Sequence, residues 1–397
     1  MNTSHRRWLP AGLSLTLVGW GANQFASLLA YYRQEHGFSE LAVTSMLGVY
    51  VAGLIPALLV GGPASDALGR RGLTLGAIGL SVLASAAMAF GGSSAWPLFA
   101  GRLLAGVATG VALAAGTSWV KELSQRPWEE QPPAGAGARR AALATTAGFW
   151  LGPVVSGLVA NWAPAPGVLP YVLHILLCLP LLWFASRLPE TRRRTGAFPR
   201  GAFAALRTTP HARFRGVVAP AGPWVFGSGT IGFAVVPGLI TDVGDFRLLY
   251  STAAVALTLG CGVAVQPLAR RIDTERSARA LLVSLGTVLA GLLAAVLAVL
   301  AQNPWGGLAA SSVLGAGYGL LMVSGLLETQ RIAGPLELGA LTGRYYTLAY
   351  LGFLAPTALA FAGLWFGPLV LLGAVIALCA ASTAAVAAGS RRHLAGG

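Results

Sequence analysis

GGPASDALGRRG, Gly61 to Gly72, is a short charged connector between two long apolar runs. Asp66, Arg70 and Arg71 sit among glycines, with solidly hydrophobic sequence close by on either side. A tight turn between two membrane helices needs glycine to bend, and its charges must stay at the water boundary. The stretch therefore asks for a membrane setting, which the rest of the chain supplies.

The 397 residues are 55% hydrophobic and only 10% charged, with a mean hydropathy of +0.68, whereas soluble domains run at roughly 25% charged. Apolar runs recur throughout, and no long polar region could form a separate soluble domain. The fold class is an all-α polytopic membrane protein. Spans of about 20 residues fit at 10–31, 40–60, 73–91, 96–119, 141–160, 168–186, 216–240, 248–268, 279–301, 304–327, 341–362 and 364–389, twelve transmembrane helices in all. Arg6 and Arg7 before an apolar run imitate a signal peptide. The run continues to Ala30 and further spans follow at once, which favours a retained first helix.

The formal net charge of +14 would suggest nucleic acid in a soluble protein. Here its distribution gives topology instead. With the N-terminus inside, all but three of the 27 basic residues fall in cytoplasmic segments; Arg33, Arg102 and Arg247 are the exceptions. That bias obeys the positive-inside rule and places both termini in the cytoplasm. No nucleic-acid partner is expected, and the lipid bilayer is the main one. Cys178, Cys261 and Cys379 lie in separate spans without paired spacing and read as small core residues. No P-loop or HExxH pattern appears, so the chain is not read as an enzyme and no cofactor or metal is expected. The single lysine, Lys121, against 26 arginines, with abundant alanine, points to a GC-rich bacterial source and its cytoplasmic membrane.

Arg187–Arg215 is the longest internal polar segment and follows six spans. It divides the chain into a six-helix bundle over 1–186, a cytoplasmic linker over 187–215 and a second bundle over 216–397. The halves echo each other. Trp20/Trp224 and Pro63/Pro267 are 204 residues apart, Pro153/Pro356 are 203 apart, and Gly110/Gly319 and Gly116/Gly325 are 209 apart. Coincidence is the rival reading, since glycine and proline are abundant. Parallel six-helix repeats with a site between them describe a known transporter architecture.

Gly62, Asp66, Gly69, Arg70 and Arg71 resemble the signature of the major facilitator superfamily in its loop between helices 2 and 3, and the six-plus-six arrangement resembles that family over the whole chain. The resemblance implies a fold of two pseudo-symmetric six-helix bundles. It also implies a secondary transporter working by alternating access, in which the acid and arginines latch one side shut. A carboxylate at Asp66 can also cap a helix N-terminus. The second-half copy, Gln266 to Asp273, is degenerate.

Arg102, with Gly106 and Gly110 after it, is similar to the family's helix-4 motif, whose arginine is linked to proton coupling. A membrane arginine is by default functional, the bland reading being snorkelling to the outer interface. Gly148, Gly152, Pro153 and Gly157 resemble the helix-5 motif of drug/proton antiporters, although Ser156 stands where the family's last pair has glycine. Mid-helix proline bends a helix and glycines allow close approach, so generic packing is the alternative.

Proton coupling lacks an obvious carrier, because none of the 13 acids lies at the middle of a span. The candidates are Glu328, which with Arg331 reads as an i,i+3 gate pair, and His174, which titrates in a useful range if accessible, a hydrogen-bonded structural histidine being the alternative reading. Asn23, Gln24, Trp224, Phe226, Tyr318, Tyr345, Tyr346 and Tyr350 could line a pocket for amphipathic, uncharged or weakly cationic molecules; singly, each also suits packing or an interface belt.

The sequence therefore points to a monomeric transporter exporting a small organic compound, a drug or secondary metabolite, in exchange for protons. Uptake or facilitated diffusion of a metabolite is the second reading. A non-transporting receptor or lipid-handling protein on the same fold is the reading from another class.

Overall fold

The computed structural model describes residues 7–92, 94–133, 135–192, 194, 196, 211–333 and 338–392. Arg6, Arg193, Arg200, Arg207, Glu337 and most of the expected central linker lie outside the described residues.

Among the described residues the chain forms twelve long helical stretches and no strand. Ten are continuous enough to span a bilayer by length and hydropathy. They are α2 (Glu40–Leu68), α3 (Arg70–Ala89), α4 (Trp96–Leu123), α5 (Ala136–Trp162), α6 (Leu169–Ser186), α8 (Gly244–Ile272), α9 (Arg279–Leu300), α10 (Pro304–Ile332), α11 (Leu341–Ala362) and α12 (Pro368–Gly389). The other two, α1 (residues 8–35) and α7 (residues 212–239), open their two halves. α1 tightens into a 3-10 segment at Gln24–Leu28. α7 contains π segments at Phe214–Val218 and Ile231–Val235, with a break at Gly222 and Pro223. One compact unit holds α1–α6 and the other α7–α12, with Ser39–Ser45 at the start of α2 grouped with the second.

Within each unit the same close approaches recur. On α4, Gly106 and Gly110 lie against the α2 backbone at Tyr50 and Leu54. On α10, Gly315 and Gly319 lie against the α8 backbone at Thr258 and Gly262. On α5, Gly148 and Gly152 face the α1 backbone at Thr16 and Trp20, and Gly352 of α11 faces α7 at Pro223 and Gly227. Small residues let backbones meet where lipid tails offer no hydrophobic drive between helices. The Gly110/Gly319 spacing is thus a true structural equivalence.

The small polar side chains of the spans are buried among a largely apolar core, and the faces left exposed carry large apolar side chains, as a bilayer solvent requires. Leu83, Leu176, Leu293, Leu297 and Val370 are exposed, whereas Ser81, Ser85, Thr109, Thr258 and Ser311 are buried. Trp96, Trp162 and Trp305 are 79%, 71% and 80% exposed. All three sit at helix ends opposite the arginine-rich connections, the place of an interfacial aromatic belt. α10 begins with a polar cap: the Asn303 side chain accepts from the backbone N–H groups of Trp305 and Gly306, and Pro304 fills the first turn, where no N–H is needed.

Three sequence expectations are corrected here. The Gly61–Gly72 connector is mostly helix, because α2 continues to Leu68 and the turn is Gly69 alone, at φ +94. Gly61 is spent on a close approach to Ala114, not on bending the chain. The linker expected to run to Arg215 has ended by residue 212, where α7 begins. Consequently Arg213 is a buried helix residue, with its side chain 0% exposed. α10 reaches Ile332, which places Glu328 and Arg331 inside its final turns.

Candidate functional site

The helix ends carrying the arginines hold a charged clasp in each unit. In the first, Arg70 Nη2 is 2.8 Å from Asp66 Oδ1 and Arg70 Nε is 3.3 Å from Glu122 Oε1. Arg70 also donates to Ser65 Oγ, and Thr191 donates to the other Glu122 oxygen. The Arg70 guanidinium, at the start of α3, joins the end of α2 to the end of α4, and the chain leaving α6 joins them through Thr191 on Glu122. Asp66 Oδ1 also lies 3.7 Å from Arg192.

Asp66 does not cap α3. That role belongs to Glu190, which accepts from the backbone N–H of Arg70 at 2.8 Å and of Arg71 at 3.1 Å. Those N–H groups have no intrahelical partner, and the helix dipole favours an anion there. Arg71 extends across to the Leu188 carbonyl, at 3.0 Å. Gly62 stands apart from this cluster, with open space where a side chain would be. Gly69 is required twice over: its φ is left-handed, and a Cβ there would strike the Glu190 carboxylate. Gly69→Ala should lower stability by about 1–3 kcal/mol, read as a reduced melting temperature in detergent; an unchanged melt would remove Gly69 from the clasp.

The second unit carries a clasp of its own, longer by one cation. Asp273, after α8, is 2.5 Å from Arg331 Nη2, and Arg331 Nη1 is 2.8 Å from Glu328 Oε2. The other Glu328 oxygen takes Arg213 Nε at the start of α7. Arg213 Nη1 donates to the carbonyls of Ser390 and Arg392, at 3.1 and 2.8 Å, beyond α12. The joined elements, the α8–α9 connection, the end of α10 and the exit of α12, correspond to those joined by Arg70. In the first unit the cation Arg70 is shared by two acids; in the second Arg331 is shared by Asp273 and Glu328, and Glu328 is shared in turn by Arg331 and Arg213. The degenerate second copy thus keeps the clasp while losing the sequence signature. Burial differs as well: the Asp66 side chain is 42% exposed, that of Glu328 only 2%.

Arg102 does not snorkel outward. It is 1% exposed, with Nη1 donating to the Ala22 carbonyl at 2.6 Å and Nε to the Met46 carbonyl at 3.3 Å. Its guanidinium lies 4.5 Å from the Tyr50 ring and 5.2 Å from Phe25. Among the described residues it makes no ion pair. It ties α1, α2 and α4 together at the carbonyls entering the 3-10 segment of α1.

The remaining predicted residues fall into two groups, one per unit. In the first, Asn23 Nδ2 donates to the Phe149 carbonyl and Ser27 to that of Pro153, so the helix-5 motif supplies carbonyl acceptors to α1. Gly157 is buried on the same helix. Gln24 donates to Ser85, which is bonded in turn to His174. In the second, Phe226 stacks on Tyr350 at 4.6 Å and lies 5.5 Å from Tyr318 and 4.9 Å from Phe353. Tyr346 is 6.5 Å from Tyr350. Trp224 is separate from this cluster, with Nε1 bonded to Ser382 Oγ at 3.0 Å. Tyr345 is buried and donates to the carbonyls of Leu321 and Met322.

Sequence reasoning missed Glu122, Glu190 and Arg213 as working parts. Glu190 had a signal, being the lone acid in an arginine-rich segment directly after the sixth span. Arg213 had none, as one of many arginines in that stretch.

A fold of twelve helices in two repeated units, with charged clasps at equivalent helix ends, defines a membrane transporter and not an enzyme. The profile of the Major Facilitator Superfamily matches residues 11–357, and the chain belongs to that family. No curated protein sequence matches it. Among solved structures it is similar to a mutant of the peptide transporter POT, at 13% identity and a TM-score of 0.77, covering 97% of this chain and 95% of the other. A POT family transporter in complex with 5-aminolevulinic acid gives 10% identity and a TM-score of 0.76 over 97% and 95%. The nucleoside transporter NupG gives 13% identity and 0.72 over 97% and 99%. At such identities the likeness is one of fold.

Proposed function

We propose that this chain is a proton-coupled secondary transporter for a small, amphipathic, uncharged or weakly cationic organic molecule, working by alternating access. The observation that carries the reading is the pair of clasps. Each ties the same set of helix ends through ion pairs, and a bistable latch is what alternating access requires. In this proposal Asp66, Gly69, Arg70 and Arg71 form the latch of the first half, and Glu328 with Arg213 and Arg331 that of the second. The proposed setting is a bacterial cytoplasmic membrane, with the clasps on the cytoplasmic side and the chain a monomer.

Two sets of groups suit a substrate of this kind: the aromatic surfaces of Phe226, Tyr318, Tyr346 and Tyr350, and the amide of Gln24. Trp224 and Asn23 are engaged by internal hydrogen bonds and read as packing. Export rests on the helix-5 resemblance alone. Import has equal support: Gly148 and Gly152 have a packing role against α1, which α7 and α11 reproduce without the motif, so that motif does not fix direction. The structurally similar transporters carry peptides or nucleosides by their descriptions.

Purified protein in sealed vesicles, given an imposed pH gradient and a panel of labelled dipeptides, nucleosides and an amphipathic cationic dye, tests the reading. Gradient-dependent movement of one class, abolished by a protonophore, is expected, and its sign gives the direction. Gradient-independent flux would remove proton coupling, and no flux of any member would leave a receptor-like role. In the same assay Asp66→Asn should slow transport several-fold while substrate binding stays near wild type. Its stability should change by less than about 1 kcal/mol, since a half-exposed ion pair contributes little. Weakened binding with an intact transport cycle would contradict the latch.

A further inference from the structure

Three polar side chains form a hydrogen-bonded run inside the first unit. Gln24 Nε2 of α1 is 2.8 Å from Ser85 Oγ of α3, and Ser85 Oγ is 2.8 Å from His174 Nδ1 of α6. His174 Nε2 is 2.9 Å from the Leu17 carbonyl of α1. Gln24, Ser85 and His174 are each 0% exposed.

The direction of every bond follows from one fixed point. A carbonyl can only accept, so His174 Nε2 carries a proton and donates it to Leu17. In the neutral ring Nδ1 is then an acceptor, and Ser85 must donate its single hydroxyl proton to it. Only lone pairs remain on Ser85 for Gln24, so Gln24 offers its NH2. Its Oε1 is left buried without a partner. An acceptor in that condition costs about 1–3 kcal/mol, and the run of bonds is what holds it there.

A second proton on the imidazole, at Nδ1, makes both ring nitrogens donors. Ser85 must then accept from His174, and its hydroxyl proton is free for Gln24. Gln24 can receive that proton only through Oε1, which requires its amide to turn over. We propose that Gln24, Ser85 and His174 form a proton-operated relay: proton uptake by His174 reverses both hydrogen bonds and turns the Gln24 amide. The position now held by an unpartnered acceptor then presents an N–H donor. One proton is taken from water, the charge stays on the imidazolium, and the bond to Leu17 is kept throughout. His174 and Ser85 are positioning residues, and Gln24 is the group whose polarity changes.

The relay rests on the proton-coupled reading above and gives it a selective element. With His174 neutral, Gln24 favours a hydroxyl or amine group; with His174 charged, it favours a carbonyl or carboxylate oxygen. Among the described residues His174 forms no ion pair with an acid. Cys178 Sγ on α6 is 3.4 Å from Nε2, and α1 brings Gly21 beside the ring, with Ser81 of α3 next to that glycine. Tyr171, a turn earlier on α6, is bonded to Tyr32 of α1. Arg102 of α4 is bonded to the Ala22 carbonyl of α1. A proton taken up at Nδ1 is held by the reversed bond to Ser85.

Nuclear magnetic resonance on the full chain in lipid nanodiscs, with isotopically labelled histidine and glutamine side chains, tests this directly. Signals of His174 and Gln24 are assigned by their loss in His174→Gln and Gln24→Leu. As pH is lowered, the Gln24 amide signals should move with the same midpoint as the His174 ring. In Ser85→Ala, His174 should still titrate while Gln24 no longer follows. A Gln24 signal that stays still while His174 titrates, a His174 that never titrates, or a Gln24 response that survives in Ser85→Ala would each overturn the relay. The titration uses neither substrate nor gradient. Its failure leaves the transport reading standing, and a failed vesicle assay leaves the relay standing.

Discussion

Glu328→Gln should destabilise the second unit by about 3–5 kcal/mol, the range seen when one member of a buried ion pair is removed. The reason is Arg213, whose side chain is 0% exposed and whose only carboxylate partner among the described residues is Glu328. Without it the guanidinium keeps carbonyl contacts near the end of α12, but its charge is uncompensated. Arg213 Nη2 already lacks a partner, so no slack remains. Arg331, 16% exposed and paired with Asp273, should tolerate the change. Replacing both members by methionine should recover most of the loss, since apolar substitution of a whole buried pair is often neutral or stabilising by about 1–4 kcal/mol. Thermal unfolding of the purified variants reads both effects. A Glu328→Gln variant that melts like wild type would show that Arg213 does not depend on this acid.

Arg102→Met should behave in the opposite way, leaving stability within about 1 kcal/mol while lowering transport at least tenfold. Arg102 is a fully buried cation with no acid partner among the described residues, held by two carbonyls and two aromatic faces. Desolvating an arginine is costly, and two carbonyl bonds with cation–π contacts of about 2 kcal/mol offset that cost only in part. Methionine removes the charge and keeps much of the volume, so the losses and gains largely cancel. A residue kept at such expense in a membrane interior is expected to serve function. Arg102→Lys, which keeps charge but loses the planar fork, should transport between the two. Melting and vesicle flux on the same preparations check the split. A strong loss of stability with the residual flux per folded molecule unchanged would make Arg102 a structural brace instead.

Much of the fold could be read before any coordinates. Long apolar runs and arginines confined to alternate connections specify a membrane helix bundle, because the bilayer leaves few other solutions. The Gly110/Gly319 spacing survived as a real equivalence since glycine at a backbone contact cannot be exchanged for a larger residue. The Gly61–Gly72 reading was right about charge and wrong about shape. Glycine abundance suggested a loop, whereas in a membrane the same residue is used for helix contact, and Gly69 alone carries the left-handed turn. Of the clasp contacts, the i,i+3 pair Glu328–Arg331 was legible in the spacing, but the long-range partners were not. Glu122, Glu190 and Arg213 meet their partners across 52, 120 and 115 residues of chain. Pairing of that kind depends on which helix ends meet, a property of the packed unit.

The central claim is that the clasps hold one of two alternating arrangements. Leu68 and Leu268, 45% and 48% exposed at the clasp ends of α2 and α8, are sites for one spin label in each unit after Leu68→Cys and Leu268→Cys in a background with Cys178, Cys261 and Cys379 replaced. Pulsed electron-spin distance measurement in nanodiscs should show two separate distance populations, and adding Asp66→Asn should shift weight to the longer one. A single distance distribution, unchanged by Asp66→Asn, would contradict the account.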